Sequence, residues 1–480
     1  MPYVGAFVHL TNLRMARLHS IPVFSIIPAF SVGLLACVLW MASLLAFHHT
    51  ASAQPLAFGS ADDPREELLR FWWRPETTVD LMGGFSLIGA QWRTASHATV
   101  DLATRAFTAR LEGTLRAGFY GTYDPDLDEA YDLVRLLAFA RYNPPRLRDQ
   151  MHIRLGPLQR VRLGAGQVVN FFNSTMAWDE RTVGVEAMWR GPLLEIAGFS
   201  DNILVDGVTG GRIALTPLFR AQNRILRTLQ FGFNAVSDLS TYNDEEVDDL
   251  TAFNADLRFQ AIESGGFTLS PFASYAKYTH YGGGIFFGAD FASENFIDIA
   301  RLRFRVALHY NGREYLPEYF SSFYPVNNTQ ARILQEANQD GPDGPQLEGL
   351  ALTEAPGGND IVTELRILFF RRFEFWYYFR RHYSTQRLSE YHLRLFLRTN
   401  RFHLNLGQDR GSLLRFLTLF NDLGDRSAMV FDLDYRVVGP FWINLHARYT
   451  YERLANSAEG EPRFLVQRRF EPFTGFRLVF

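Results

Sequence analysis

The sequence has almost no cysteine and almost no lysine. Cys37 is the only cysteine and Lys277 the only lysine among 480 residues. A disulfide framework is excluded because there is no second cysteine to pair with, and cysteine-based metal or redox chemistry is excluded beyond position 37. Arginine therefore carries nearly all of the positive charge, as a guanidinium that stays charged at any ordinary pH.

Net charge and long apolar runs are also scarce. The formal net charge of −3 argues against a nucleic-acid-binding protein, since such proteins carry a basic excess. A mean hydropathy of −0.10 is too low for a bundle of membrane-spanning helices. Aromatic residues are abundant instead, at 15%, and 43 of them are phenylalanines. The composition thus combines many rings with many charges.

One long apolar run is present, at residues 31–47 (SVGLLACVLWMASLLAF). Two arginines precede it, and Ala51 and Ala53 follow it with the small-x-small spacing of a signal-peptidase site. We therefore predict a signal peptide at residues 1–53, cleaved after Ala53. An uncleaved membrane anchor and a lipoprotein signal at Cys37 are the alternatives.

Residues 54–77 are predicted to be a short N-terminal lead-in. Asp63 is a candidate helix cap, Pro64 suits the first helical position, and acids follow in the first turn. A short helix or an irregular segment is expected here.

From residue 78 onward the apolar pattern has a period of two. In FWINLHARYTYE (441–452), apolar side chains take one face and mostly polar side chains the other, because successive residues of a strand point to opposite sides. Many such stretches are ten or more residues long. Strands of soluble sheets average about 5–6 residues, whereas a tilted strand needs about 9–11 to cross a bilayer.

The polar faces carry full charges, mainly arginine, and the apolar faces carry rings such as Phe373, Phe375 and Tyr377. Lipid offers no hydrogen-bond partner, so only a closed sheet can lie in it. We therefore predict an all-β fold over residues 78–480, a transmembrane antiparallel up-and-down β-barrel. The candidate strands number 14 to 18, and we favour about 16 because such barrels usually have an even number.

A charge on the lipid face would cost about 2–4 kcal/mol at midplane, so the charged faces are assigned to the lumen. The lumen and selectivity candidates are Arg110, Arg116, Arg258, Arg301, Arg303, Arg305, Arg394, Arg398, Arg436, Arg448, Asp256, Asp432, Asp434 and Glu452. Because rings of charge set selectivity, this pattern favours a porin-like channel for small polar or anionic solutes. The alternative is a filled, non-conducting lumen whose arginine–carboxylate pairs cross-link neighbouring strands.

The final strand, TGFRLVF, places Phe476, Leu478 and Phe480 on one face and Arg477 on the other. It resembles the closing strand of Gram-negative outer-membrane β-barrels. The resemblance implies that this strand pairs with the first one and that Phe476, Leu478 and Phe480 form the signal read by the barrel assembly machinery. It also implies a location in the outer membrane, in contact with its lipid, and says nothing about chemistry.

Three stretches carry a second resemblance. Residues 152–172, 181–189 and 210–218 look like parts of a group of uncharacterised barrels from Bacteroidota-type bacteria. That group brings no known activity.

The longest break in the alternation is at residues 313–359. Outer loops of such barrels are long and periplasmic turns short, so a surface loop is expected here. The alternative is a loop that folds inward and constricts the lumen.

Other functions have weaker support. His382 and Ser384 resemble the His-x-Ser pair of outer-membrane phospholipases and lipid A deacylases, but the Asn-Gly continuation of the phospholipase motif is missing. A lipid-acting hydrolase is therefore the third reading, after a channel and a non-conducting barrel that anchors surface loops or partners an export or assembly system. No enzyme activity and no cofactor are expected.

No metal site is expected either. Residues 124–132 resemble the start of a calcium loop, but the required glycine is missing and Arg135 stands where the bidentate glutamate belongs. Weak binding of Ca²⁺ by this loop is the alternative.

Overall fold

The computed structural model describes residues 58–61, 63, 76–119, 121–147, 150–204, 207–239, 250–296, 299–327, 332–334, 346–348, 352–370, 372–384, 389–411, 426–453 and 463–480. The predicted signal peptide, with Ala51 and Ala53, and the helix expected after Asp63 lie outside these residues.

Twenty strands of the described residues build the wall of one barrel. In chain order they are β1 (Thr78–Ile88), β2 (Gln91–Ala103), β3 (Phe107–Gly118), β4 (Leu137–Tyr142), β5 (Met151–Gly156), β6 (Gly184–Arg190), β7 (Leu194–Ser200), β8 (Val208–Leu215), β9 (Gln230–Asp238), β10 (Thr251–Arg258), β11 (Phe267–Tyr278), β12 (Gly283–Phe296), β13 (Ala300–Asn311), β14 (Gly358–Phe369), β15 (Phe373–His382), β16 (Glu390–Arg398), β17 (Phe402–Arg410), β18 (Ser427–Val438), β19 (Phe441–Arg453) and β20 (Arg463–Val479).

The sheet is closed by its first and last strands. β1 and β20 run antiparallel, with Thr78 opposite Val479 and Ile88 opposite Arg469. Every other wall strand pairs antiparallel with its neighbours in the sequence. Closure leaves the wall without an edge, so its backbone donors and acceptors are paired within the sheet.

The all-β closed-barrel class agrees with the sequence, but the predicted number of about 16 strands (14–18) is wrong, because the wall has 20. The undercount has a physical cause. β4 to β7 are only six or seven residues long, below the nine or more expected of a crossing strand. Runs such as LAFARY and LEIAGFS also lack a full alternation of charge.

The two faces of the wall have opposite character. In β8, Ile213 is 55% exposed on the outer face while its neighbour Arg212 is 5% exposed on the inner face. In β9, Phe231 and Phe233 are exposed while Asn234 is buried. This is the reverse of a water-soluble sheet, and it suits a barrel with lipid outside.

Connections differ between the two ends of the barrel. At the terminal end, where β1 begins and β20 ends, several turns are tight, such as 104–106, 399–401 and 439–440. At the far end the loops are longer, above all 157–183 and 312–357. Parts of these two long loops lie in the lumen described below, and residues of the connection 119–136 reach it as well.

The remaining elements are short. The helices are α1 (Asp132–Arg135), α2 (Arg224–Arg227) and α3 (Tyr324–Asn327), with 3-10 turns at Asp124–Asp126, Pro145–Leu147 and Leu352–Glu354. Further short strands are Gly121–Thr122, Ile262–Ser264, Arg332–Leu334 and Gln346–Glu348. Among the described residues, no helix is long and apolar enough to cross a membrane.

A disulfide tests the closure of the barrel. Val79 and Leu478 face each other across β1 and β20. Opposed residues of an antiparallel pair have Cα atoms about 4.5–5.5 Å apart, within disulfide range. In a Cys37→Ser background, Val79→Cys with Leu478→Cys is expected to oxidise and to speed the migration of the unfolded chain on a non-reducing gel.

Val79→Cys with Ile443→Cys is the matched control, since Ile443 lies on β19 opposite Thr474 rather than opposite β1. Equal cross-linking in both variants, or none in the first, contradicts the closure.

Candidate functional site

Three segments of the chain lie inside the barrel. They are the N-terminal segment (58–61 and 63), the inner loop (157–183) and the strap (315–326), and we call them together the plug. Their residues are largely buried and contact inward-facing side chains of the wall. Barrels of 16 to 18 strands leave a water-filled channel, so a twenty-stranded wall leaves space that its own side chains do not fill.

The inner loop and the strap share one apolar core. Leu158, Val169 and Phe172 of the loop pack with Phe320 and Tyr324 of the strap, all buried. Backbone hydrogen bonds join the two segments: Asn170 N donates to Phe320 O at 3.2 Å, and Phe320 N donates to Val168 O at 3.2 Å. The apolar core of the molecule therefore lies inside the barrel.

The inner loop is tied to the wall from β10 to β14 by polar contacts. Gln167 Nε2 donates to Gly284 O at 2.7 Å, and Arg305 Nη1 donates to Ala165 O at 2.8 Å. Arg162 Nη2 donates to Glu364 Oε1 at 3.0 Å. Buried polar groups require such partners, so these contacts fix the position of the loop.

The N-terminal segment binds near the terminal end. Asp63 accepts two hydrogen bonds from Arg190, at 2.8 and 2.6 Å. Phe58 packs against Trp376 and lies beneath the guanidinium of Arg305, 5.3 Å from the ring centroid. A bidentate ion pair and a buried ring thus hold this segment in the lumen.

The strap is held by β15 near the far end. Tyr378 donates to Glu318, and Arg380 donates to the carbonyl of Pro317. Burial raises the pKa of Glu318, against the opposing effect of the Arg380 charge.

The plug does not fill the whole lumen. A cavity of about 230 Å³ remains between the inner loop and the strands β3 to β5 and β16 to β19. We call it the arginine chamber, because seven arginines and only three carboxylates line it. The arginines are Arg110, Arg135, Arg154, Arg160, Arg181, Arg394 and Arg448, and the carboxylates are Glu112, Asp409 and Asp432.

A second cavity of about 140 Å³, the vestibule, adjoins the chamber towards the terminal end. Both cavities are lined by Arg110, Glu112, Asp432 and Arg448. The vestibule has a balanced charge, with four arginines, five carboxylates and the imidazoles of His97, His403 and His446. It reaches the exposed Arg372 in the turn after β14.

At least four of the seven chamber arginines pair with carboxylates, among them Arg110 with Asp101 and Arg135 with Asp132, each at 2.7 Å. Arg394 pairs with Asp409 at 2.8 Å and Arg448 with Asp432 at 3.3 Å. Arg181 donates instead to the carbonyls of Trp178 and Arg135, at 2.9 and 3.1 Å, and stacks on the Trp178 ring. Burial lowers the pKa of Arg181 to about 10, which is expected for a cation held in place mainly by neutral groups.

An apolar cluster closes the chamber at the far end. It is formed by residues of the inner loop, the strap and the wall: Met176 and Ala177, Phe323 and Val326, and Ala428, Tyr451 and Phe464. We call it the apolar cap. Met176 and Ala428 also line the chamber, so the cap borders the chamber at its far end.

The sequence candidates for the lumen occupy inward positions of the wall, and most take part in ion pairs or hydrogen bonds. Pairs that cross strands are Arg110–Asp101, Arg116–Glu471, Arg212–Asp256, Arg258–Asp290, Arg305–Asp290, Arg394–Asp409, Arg448–Asp432 and Arg477–Asp434. Glu452 accepts a hydrogen bond from Gln467.

Only part of the candidates meet in one place. Arg110, Arg394, Arg448 and Asp432 line the chamber. Arg398 and Asp434 line the vestibule. Arg258, Arg305 and Asp256 lie beside the plug, and Arg301 and Arg303 are half-buried further along β13. Arg436 is exposed near the terminal end, where its Nε donates to Gly439 O at 2.7 Å.

The C-terminal residues lie where β20 meets β1. Phe476, Leu478 and Phe480 are exposed, and Arg477 between them is buried against Asp80 at 2.9 Å.

The proposed hydrolase pair has other partners. Nδ1 of His382 accepts the backbone N–H of Ser384 at 3.2 Å, and Nε2 lies 3.6 Å from Asp360 Oδ1. Both ring nitrogens therefore face groups other than the Ser384 hydroxyl, whereas a serine nucleophile needs its base on that hydroxyl.

Two aspartates of the calcium-like stretch are also engaged. Asp126 binds Arg116, and Asp132 binds Arg135 at 2.7 Å. Within the described residues, no group of three or more histidine, cysteine, aspartate or glutamate side chains is arranged to hold a metal ion.

Sequence reasoning missed the plug side of the chamber, namely Arg160, Trp178 and Arg181. A signal was present. Residues 157–183 lack the period-two pattern of a strand, yet they are rich in Val, Phe and Leu for an exposed loop. A long connection with that composition indicates a segment that packs inside.

Comparisons with known proteins found similar solved structures. Wzi, an Escherichia coli outer-membrane carbohydrate-binding β-barrel involved in group 1 capsule assembly, aligns with 86% of this chain and 86% of its own at 9% identity and a TM-score of 0.33. OpdL from Pseudomonas aeruginosa aligns with 84% of this chain and 98% of its own at 8% identity and a TM-score of 0.30.

The ferric enterobactin receptor PfeA from Pseudomonas aeruginosa aligns with 85% of this chain and 82% of its own at 9% identity and a TM-score of 0.34. No family model and no curated protein sequence matches the chain. At these TM-scores the similarities bear on neither substrate nor mechanism.

The class of the protein follows from its own architecture. A closed antiparallel sheet with apolar side chains outside and charged side chains inside satisfies its backbone without water and exposes hydrocarbon to lipid. The chain is a transmembrane β-barrel protein of the Gram-negative outer membrane.

Gly164 tests the seating of the inner loop. It has a φ of +61°, and a Cβ there would lie 2.6 Å from Arg212 Nη1 and 2.9 Å from Asp256 Oδ2. Gly164→Ala is expected to lift the loop from the wall, because the added methyl group meets a buried ion pair. Limited trypsin digestion of the folded barrel should then cleave at Arg160, Arg162 or Arg181 several-fold faster.

Gly265→Ala is the matched control. Its φ is +59° and a Cβ there meets nothing within 4 Å, so it shares only the left-handed strain of about 1 kcal/mol. Equal rates of digestion in the two variants would contradict the packing of the inner loop against the wall at Gly164.

Proposed function

We propose that this protein is a narrow outer-membrane channel for small anionic solutes, with the vestibule and the arginine chamber as its path and the apolar cap as its closed gate. The observation that carries the proposal is the lining of the chamber, where seven arginines face three carboxylates. Charge of one sign along a confined path sets selectivity for ions of the other sign.

The orientation follows the usual loop pattern of such barrels, with short turns on the periplasmic side. The terminal end then faces the periplasm, the vestibule opens there, and the cap lies towards the cell surface. A solute entering from outside would pass the cap first and meet the chamber arginines next.

The size of the path limits the solute. A cavity of about 150 Å³ holds a molecule of the size of benzene. The chamber, at about 230 Å³, and the vestibule, at about 140 Å³, therefore suit solutes of a few carbon atoms, such as small carboxylates or phosphate. The plug excludes the wide, unselective pore of a general porin.

A non-conducting barrel is the second candidate, and one observation favours it. Many inward arginines form buried pairs across neighbouring strands, such as Arg305–Asp290 at 2.6 Å and Arg366–Glu374 at 2.8 Å. Such pairs stiffen a wall without offering charge to a solute.

Arg448 tests the charge of the path, because it lines both cavities. In planar bilayers under a KCl gradient, the wild-type protein is expected to conduct weakly with an anion-selective reversal potential. Arg448→Gln should shift that potential towards the potassium value, since one of the seven chamber cations is lost.

Arg436→Gln is the matched control, since Arg436 is exposed near the terminal end and lines neither cavity. Equal shifts in both variants contradict the assigned path. Silence of the wild type and of every gate variant favours the non-conducting barrel.

Phe323 tests the gate, because its ring is buried in the apolar cap. Phe323→Ser removes cap packing worth about 3–5 kcal/mol, as for other large-to-small core changes. We expect a several-fold rise in open probability and faster swelling of proteoliposomes in a small carboxylate. Phe119→Ser is the control, because the Phe119 ring is 95% exposed at the far end. It should leave the open probability and the swelling rate unchanged. Equal effects of the two substitutions would place the gate elsewhere.

A further inference from the structure

Asp179 of the inner loop occupies a polar site on the barrel wall. Its two carboxylate oxygens each accept a hydrogen bond from Arg469 Nη2 at 2.8 Å. Gln467 Nε2 and the Tyr123 hydroxyl donate to the same carboxylate, each at 3.0 Å. Although burial opposes ionisation, Arg469 and Gln467 hold the pKa of Asp179 below its ordinary value.

The donors of this site belong to parts of the molecule other than the inner loop. Arg469 and Gln467 lie on β20 and are each 3% exposed, and Tyr123 lies in the connection after β3. They would stay in place if Asp179 withdrew. Arg469 also has a spare donor, because its buried Nε lacks a hydrogen-bond partner within the described part of the chain.

The site is close to the proposed path. A cavity of about 60 Å³ is lined by Asp179 and Arg469 together with Trp178, Arg181 and Arg448. The last three also line the arginine chamber. A solute in the chamber therefore lies beside the residues that surround the Asp179 carboxylate.

Asp179 also shares its loop with part of the gate. Met176 and Ala177, only a few residues earlier, belong to the apolar cap. Tyr451 N donates to Met176 O at 2.9 Å and so anchors this stretch to β19. Movement of Asp179 off Arg469 would act directly on the cap.

We propose that Arg469, Gln467 and Tyr123 form a carboxylate-binding site that Asp179 occupies as a tethered ligand, and that a carboxylate solute competes with Asp179 for it and so releases the inner loop. The second part rests on the proposed function, whereas the first part stands on the contacts alone. No covalent step is involved: one carboxylate replaces another on the same donors.

The test is rescue of a cavity variant by a free carboxylate. Asp179→Ala leaves the three donors buried around a space of carboxylate size. The purified full-length barrel in detergent micelles is heated, and its apparent unfolding midpoint is followed by the loss of the compact gel band. Sodium formate is compared with sodium chloride at equal ionic strength.

We expect Asp179→Ala to unfold at a lower temperature than the wild type and formate, but not chloride, to restore most of the loss. Half of the effect is expected in the millimolar range, the range to which ligand efficiency restricts a ligand of three heavy atoms. The wild type should show no formate-specific stabilisation, because Asp179 already fills the site.

Asp179→Ala with Arg469→Ala is the matched control, since it removes the main donor, and formate should not rescue it. If Asp179→Ala fails to fold, Asp179→Ser keeps a small polar side chain and still leaves space for formate, and formate-dependent protection of its inner loop from trypsin replaces the thermal readout. Equal responses to formate and chloride, or rescue that persists without Arg469, would overturn the proposal.

Rescue and conductance separate the two proposals. Formate rescue in a barrel that never conducts keeps the carboxylate site and removes the channel. A conducting barrel without formate rescue keeps the channel and removes the tethered ligand.

Discussion

The structure depends on one constraint, namely that every backbone donor and acceptor within a bilayer must find its partner inside the sheet. Pairing of β1 with β20 meets this constraint by closing the wall. Closure at twenty strands encloses a lumen wider than wall side chains fill, and barrels of similar size are either water-filled or plugged. This chain fills part of the space with its own segments, so its apolar core lies inside a charged wall.

The plug fills the lumen unevenly. One part of the wall is therefore covered by the plug, and another part faces open space. From β8 to β15 the plug covers the wall, and arginines such as Arg212 and Arg305 are consumed in buried pairs with Asp256 and Asp290. Beside β3 to β5 and β16 to β19 the wall faces open space, and seven arginines line that space, among them Arg160 and Arg181 from the plug. The first set stabilises the barrel, and the second is the set that we propose faces the solute.

The sequence reveals the wall better than the plug. Alternation along β19 and β20 predicts their inward and outward faces because the period of a strand is local. The strand number was wrong because β4 to β7 are short and only weakly alternating, so no local rule separates them from loops. The inner loop could not be placed at all, since Gln167 and Asp179 find their partners more than 80 residues away, on β10 and β20. Pairs such as Arg212–Asp256, 44 residues apart, are also non-local, so the sequence yields the inward charges but not which of them are neutralised.

Hydrogen exchange measured by mass spectrometry on the purified barrel tests the central claim most directly, because it reports whether the inner loop and the strap are packed inside the lumen. If they are, the backbone amides of Val161, Phe172 and Phe320 are as protected as those of the wall strands, since each is a hydrogen-bonded donor in a buried core. Exchange of these segments as fast as that of the exposed turn Gly265–Gly266 would show a lumen without a plug and would contradict the account.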